Sequence, residues 1–269
     1  MRLSRLLLVA GGIAALASPS FAAIHVLSDR NSVVRVDDAT SAGMHDWVVD
    51  GTDHLFQQWF WFRVSGDTQE RQLNSLPLIG SFATDTNPFH DTRPDTLSLL
   101  YAAPGIEIQP TYTLRGGQTN SNASDVGEQI AIHNTGNQTL NISFFQYCDF
   151  DINGTPGGDT GEILGSMFNT ARQSDGVFGM SEVVVTPAPS RYEVNTFPSI
   201  VTRLDDGLVT DLANTVGPQS GDLTWAFQWD LVIAPGGTVI ISKDKGIIPT
   251  PGAAALLALG GLVGLRRRR

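Results

Sequence analysis

Through the middle of the chain, apolar residues fall on every second position. In 222–233, DLTWAFQWDLVI, the side chains of Leu223, Trp225, Phe227, Trp229, Leu231 and Ile233 point one way. Asp222, Thr224, Ala226, Gln228 and Asp230 point the other. Side chains of an extended strand alternate between faces, so the pattern predicts a strand with one buried and one solvated face. The stretch 106–114 repeats it, setting Ile106, Ile108, Tyr112 and Leu114 against Glu107, Gln109, Thr111 and Thr113. In 54–64, HLFQQWFWFRV, Phe56, Phe60 and Phe62 share one face while Leu55, Trp59 and Trp61 share the other. A strand apolar on both sides predicts a central place, covered above and below.

In 141–152, NISFFQYCDFDI, one face holds Ile142, Phe144, Cys148, Phe150 and Ile152. Further strands are predicted at 32–37, 97–102, 128–134, 163–169, 177–186 and 237–243, with hairpin turns at Asn134-Thr135-Gly136-Asn137 and Ala234-Pro235-Gly236-Gly237. Helical spacing is confined to Ile200, Leu204, Leu208 and Leu212, and Gly207 interrupts it, so any helix there is short. About ten strands in local hairpins, with almost no helix, predict an all-β fold: a single antiparallel β-sandwich, jelly-roll or immunoglobulin-like, over 23–242. No fixed-period repeat is visible, which disfavours a propeller or solenoid.

The two ends break the alternation. Arg2 and Arg5 precede an apolar run over 6–17, and small residues follow, with Ala22 in place for cleavage. This is the pattern of a secretory signal peptide over 1–22. At the other end, 252–265 has no polar side chain and runs into Arg266, Arg267, Arg268 and Arg269. As a helix it would span roughly 21 Å, short of the roughly 30 Å hydrocarbon core of a bilayer. Four arginines favour the cytoplasmic face, so the segment reads as a short transmembrane helix or marginal anchor that leaves the body outside.

The order Pro249-Thr250-Pro251, apolar helix, arginine cluster resembles a PEP-CTERM sorting signal, with Thr250 where such signals carry Glu. The resemblance is confined to the tail. It implies export in a Gram-negative bacterium that makes an exopolysaccharide. The partners it implies are the secretion translocon, a membrane-embedded exosortase that recognises and removes the tail, and the exopolysaccharide itself. The chain would pass the periplasmic side of the inner membrane and finish at the cell surface or in the extracellular matrix. On this reading 243–248 is a linker and 249–269 the sorting segment.

Charge and cysteine usage narrow the body's partners. Of 17 basic residues, two lie in the leader and four at the C-terminus, so 11 face all 27 acids and the body carries a formal −16. A surface this acidic repels nucleic acid and attracts cations. The single cysteine, Cys148, cannot form an intramolecular disulfide, and its place among apolar residues predicts a buried core thiol.

Familiar catalytic patterns are missing. Asp159-Thr160-Gly161 matches the short core of an aspartic protease, but no second such triplet supplies the partner carboxylate. There is no Gly-x-Ser-x-Gly elbow. His45 and His54 lack the short spacing of a zinc site and read as exposed loop residues. In DFDINGTPGGDTGE, Asp149, Asp151 and Asn153 at alternate positions before Gly154 reproduce the first half of a calcium loop. Thr155 could add a carbonyl and Asp159 or Glu162 a closing carboxylate, so calcium is the one candidate ligand; no other cofactor is indicated.

The sequence alone therefore predicts an exported, non-catalytic surface protein. The first alternative is a carbohydrate-binding module, calcium-dependent if the loop holds a cation, with Trp59, Trp61, Phe145 and Tyr147 as candidate sugar-facing aromatics. The second is a secreted hydrolase. Mass spectrometry of the mature protein checks the processing expectation: it should begin near Ala23 and lack 252–269, and surface-released protein that keeps its four arginines would refute it.

Overall fold

The computed structural model describes residues 23–250. The leader with Ala22, and the tail with Pro251, the apolar run and the four arginines, lie outside the described residues. Two nine-stranded sheets pack face to face, and every strand pairing within them is antiparallel. The first sheet runs β1 (Ile24–Asp29), β2 (Ser32–Asp37), β3 (Met44–Val49), β5 (Gln57–Val64), β11 (Leu140–Asp149), β17 (Leu223–Ile233) and β15 (Arg191–Thr196). The two-residue strands β4 (Thr52–Asp53) and β6 (Arg71–Gln72) attach to β3 and β5. The second sheet runs β16 (Gln219–Gly221), β12 (Asp159–Leu164), β13 (Thr170–Ser174), β14 (Phe178–Thr186), β18 (Thr238–Pro249), β10 (Ser124–His133), β9 (Ile106–Gly116), β8 (Thr96–Ala103) and β7 (Leu78–Thr84).

The β-sandwich expectation holds, but nine strands a side exceed both an immunoglobulin domain and an eight-stranded jelly roll. The strand at 32–37 matches β2, and 177–186 falls on β14. The short helix is α1 (Ser199–Leu204), ended before Gly207, whose φ is 78°. Among the described residues no helix is long and apolar enough to cross a membrane.

Both faces of β5 are covered, as its double apolar pattern requires. Phe60 stacks on Phe144 at 5.5 Å inside the sandwich. On the other face, Trp59 Nε1 donates to Asn74 Oδ1 (2.9 Å) and Trp61 Nε1 donates to Asp205 Oδ1 (2.8 Å). All four proposed sugar-facing aromatics, Trp59, Trp61, Phe145 and Tyr147, are fully buried, so none of them can meet a ligand. The polar face of β17 is also covered, against expectation. The segment after α1 lies over it: Leu212 N–H donates to Gln228 Oε1 (2.9 Å), and Gln228 Nε2 donates to Asp211 Oδ1 (3.0 Å). Thr224, Ala226 and Gln228 are buried there with their hydrogen bonds made within the protein.

The stretch expected as a linker is the second half of β18, a strand near the middle of its sheet. Lys243 and Lys245 made it look solvated, yet both alternate inward with Ile241 and Ile247 and are buried. In register, Lys243 lies between Glu128 of β10 and Val184 of β14, and Lys245 lies beside Glu182. The Lys243 ammonium is 2.6 Å from Glu128 and 3.4 Å from Glu182, and Lys245 contacts Glu128 and Gln58. From the opposite sheet, Gln146 and Trp225 each donate to Glu182 Oε2, at 3.0 and 3.3 Å. Burial alone would raise the Glu128 carboxyl, but the two ammonium groups outweigh it and hold it below its usual range. Cys148 is buried against the same cluster, where burial and the Glu182 charge push its thiol well up.

Removing one partner of a buried ion pair strands the other charge in a low dielectric. Lys245→Met should therefore destabilise the protein by about 3–5 kcal/mol in urea unfolding. Trp225→Ala, which removes a ring stacked on Phe150 at 5.2 Å, should cost about as much.

Candidate functional site

An open cleft lies at one pole of the first sheet, between β3, β4, the start of β5 and the turn that follows β11. The chain there is tied across elements: Phe56 N–H donates to the Asp149 carbonyl (3.1 Å), and Phe197 N–H donates to the Asp222 carbonyl (2.9 Å). A cavity of about 630 Å³ opens here, lined by His45, Asp46, Asp53, Leu55, Phe56, Gln57 and Asp151 among others. Phe56 is 56% exposed and Phe197 42%, and their rings meet edge to face at 6.5 Å. Exposed phenyl rings beside carboxylates make a surface that offers a ligand both an apolar face and hydrogen-bond acceptors.

Asp151 joins the cleft to a carboxylate group. Oxygens of Asp149, Asp151 and Asp222 lie within 4.8 Å of one another. Asp149 is buried, and its Oδ2 accepts from the Tyr147 hydroxyl (3.1 Å). Burial, with the Asp151 and Asp222 charges, pushes its carboxyl up to about 7 despite that hydrogen bond. The Asp151 carboxyl is raised by burial and by Asp222 and Asp53, and Asp222 is raised by burial. Three carboxyls that resist ionising together can share a proton, exchange one with a bound hydroxyl, or be neutralised by a divalent cation.

The structure brings together Asp149 and Asp151 of the sequence-predicted set and adds Asp222, the residue between β16 and β17. The other members of that set serve the local fold. Asn153 sits in the 3-10 turn Ile152–Gly154 with φ 61°, its N–H donating to His54 Nδ1 (3.1 Å). The Thr155 hydroxyl donates to the Ile152 carbonyl (3.0 Å). Asp159 is fully buried in β12, its Oδ2 accepting from Gln173 Nε2 at 2.5 Å, and it lies outside the group of three. Burial raises its carboxyl to about 6. His54 is buried rather than exposed, packed edge-on against Phe178, and burial lowers it to about 4, so it is neutral. His45 lines the cleft. Asp222, Asp53 and Phe56 escaped the sequence reading because each looks like an ordinary member of a strand or turn.

The sequence matches no family model and no curated protein. Its fold does have solved counterparts. A bacterial glucoamylase complexed with acarbose superposes with a TM-score of 0.54 at 9% identity, covering 91% of this chain and 36% of its own. A Synechocystis protein, Slr1438, gives 0.52 at 12% identity over 87% of this chain and 98% of its own. A galactose mutarotase related enzyme from Lactobacillus acidophilus gives 0.50 at 8% identity, covering 84% and 97%. This chain thus spans about a third of the glucoamylase but nearly the whole of the other two. At such identities the likeness is one of fold, the galactose mutarotase-like β-sandwich. It corrects the expectation that the body is not an enzyme. That expectation rested on missing motifs, and this frame is shared with carbohydrate enzymes, so missing motifs exclude nothing.

The raised Asp149 carboxyl gives a pH signature. Below about pH 4 it is protonated in both folded and unfolded chains, so it costs nothing. As pH rises from about 4 to about 7 the unfolded carboxyl ionises and the folded one resists, and stability falls. Above about 7 the penalty is constant. Metal-free protein should show a melting temperature that drops across this window, and Asp149→Asn should remove most of the drop. An unchanged slope in that variant would mean that Asp149 does not carry the penalty.

Proposed function

We propose that this is an exported carbohydrate-binding protein whose binding site is the polar cleft beside Asp149, Asp151 and Asp222. One observation bears most of the weight: exposed Phe56, backed by Phe197, lines a cavity of about 630 Å³ next to carboxylates that have lone pairs to spare. A pyranose ring can lay its C–H face on Phe56 and donate its hydroxyls to Asp151, Asp53 and Gln57. The fold shared with a glucoamylase and a mutarotase related enzyme supports a sugar as the ligand. The acidic body favours neutral or cation-bridged glycans over anionic ones.

A divalent cation fits the same reading. Asp149, Asp151 and Asp222 offer hard oxygen ligands whose mutual repulsion a calcium ion would relieve, and the bound ion could in turn accept sugar hydroxyls. We further propose that the protein reaches the cell surface through its leader and its PEP-CTERM-like tail, where an exopolysaccharide would be the glycan at hand.

Titration calorimetry with neutral oligosaccharides tests the site. Binding should weaken about tenfold in Phe56→Ala and in Asp151→Asn, a loss of about 1.4 kcal/mol each. Chelator should weaken it further if calcium takes part. Oligosaccharides that bind these variants as tightly as the parent, or not at all to either, would sink the proposal.

A further inference from the structure

The sheet does not stop where the sorting motif starts. β18 loses its partner β10 after Ile247, which pairs with Ser124, but continues along β14 through Ile248 opposite Gly179 and Pro249 opposite Phe178. Thr250 is then held by the turn that joins β13 to β14. Its N–H donates to the Val177 carbonyl (2.9 Å) and its hydroxyl to the Gly176 carbonyl (2.7 Å), with Val177 also in reach at 3.2 Å.

The turn is built to present those carbonyls. Asp175 Oδ1 accepts from the N–H groups of Val177 (2.7 Å) and Phe178 (2.6 Å). Ser174 Oγ donates to the Phe178 carbonyl (2.7 Å) and accepts from Gly176 N–H (3.1 Å). Gly176 takes a φ of 88°, which a side chain would strain. With the turn's amides occupied by its own side chains, the Gly176 and Val177 carbonyls are left for residue 250. A donor at position 250 can bind both in place of water. A threonine hydroxyl supplies one, whereas glutamate, the residue such signals carry at this place, would set an acceptor against two carbonyl oxygens.

We infer that the β13–β14 turn is a clamp on the processing motif: the folded body, rather than a flexible linker, holds Pro249-Thr250 and withholds it from a processing enzyme until the turn lets go. The inference rests on reading the tail as a processed signal, but the clamp has its own physical test. A peptide bond in a sheet is cut only while the sheet is open, so at low protease, where reclosing outpaces cutting, cleavage reports the open population.

The experiment uses the full chain and a proline-specific endoprotease, with tail release after Pro249 or Pro251 followed by mass spectrometry. Thr250→Val, which keeps the shape and loses the donor, should be cut about tenfold faster than the parent. Thr250→Glu and Asp175→Ala should be faster too, while Thr250→Ser should match the parent. In the parent, hydrogen exchange at the Thr250 amide should be slowed relative to a peptide of residues 245–255. Parent protein cut as fast as Thr250→Val, or a Thr250 amide that exchanges at the peptide rate, overturns the clamp. Processing in an exporting host separates the two readings. A tail that is never removed there, with the protease difference intact, defeats the sorting signal and leaves the clamp. A tail removed at equal rates from parent and variants defeats the clamp and leaves the signal.

Discussion

Four charges buried between the sheets govern the rest of the architecture. Glu128, Glu182, Lys243 and Lys245 come from three adjacent strands of one sheet, and Gln58, Gln146 and Trp225 reach them from the other. Isolated, any of these ions would be too costly to bury. Together they are neutral in sum and hydrogen-bonded across the interface, so they are tolerable only in one strand order and one register. A shift of β18 by one residue would turn both lysines to the outer face and leave two glutamates unpaired inside. We read the cluster as a register lock at the centre of the sandwich, set beside a layer of buried aromatic side chains.

That lock has consequences at both ends of the molecule. At the cleft pole, Trp225 sits between the ion cluster and the carboxylate site, hydrogen-bonded to Glu182 and stacked on Phe150. Phe150 immediately follows Asp149, so the position of Asp149 is fixed by packing that begins in the core. The cost of holding Asp149, Asp151 and Asp222 together is thus met by the whole sandwich and not by the loop that carries two of them. Sites that keep like charges close in a rigid frame are those where a proton or a cation can change the local energy most. Along β18, the pairing that buries Lys243 and Lys245 runs straight on to Pro249, so the sheet reaches Thr250 without slack.

Much of the fold was legible from local pattern. Period-two alternation located β2, β5, β8, β9, β10, β11, β14 and β17 but missed β1, β3, β7, β13 and β15 and placed 163–169 past the end of β12. The doubly apolar stretch at β5 announced a covered central strand, and Gly207 limited the helical spacing to a short α1. Cys148 was legible as buried from its apolar neighbours. The pattern failed where cover came from far away. Thr224 and Gln228 look solvated in sequence, yet the segment after α1 lies over them and satisfies their polar groups. Lys243 and Lys245 look like linker residues because the glutamates that neutralise them are more than fifty residues away, in two other strands.

The candidate site divides in the same way. The sequence by itself determined that the body is all-β, that it is strongly acidic, and that Asp149 and Asp151 alternate toward one side of a strand end. Those facts depend only on neighbours along the chain. The tertiary structure alone decided that Asp222 completes the group, that Phe56 is exposed while Trp59 and Trp61 are not, and that Asn153, Thr155 and Asp159 serve the turn and β12. Alternation tells which side chains share a face, but it is silent on which strands become neighbours. In an antiparallel sandwich that choice is made by long-range pairing and by the matching of buried charge, so it appears only when the sheets are assembled.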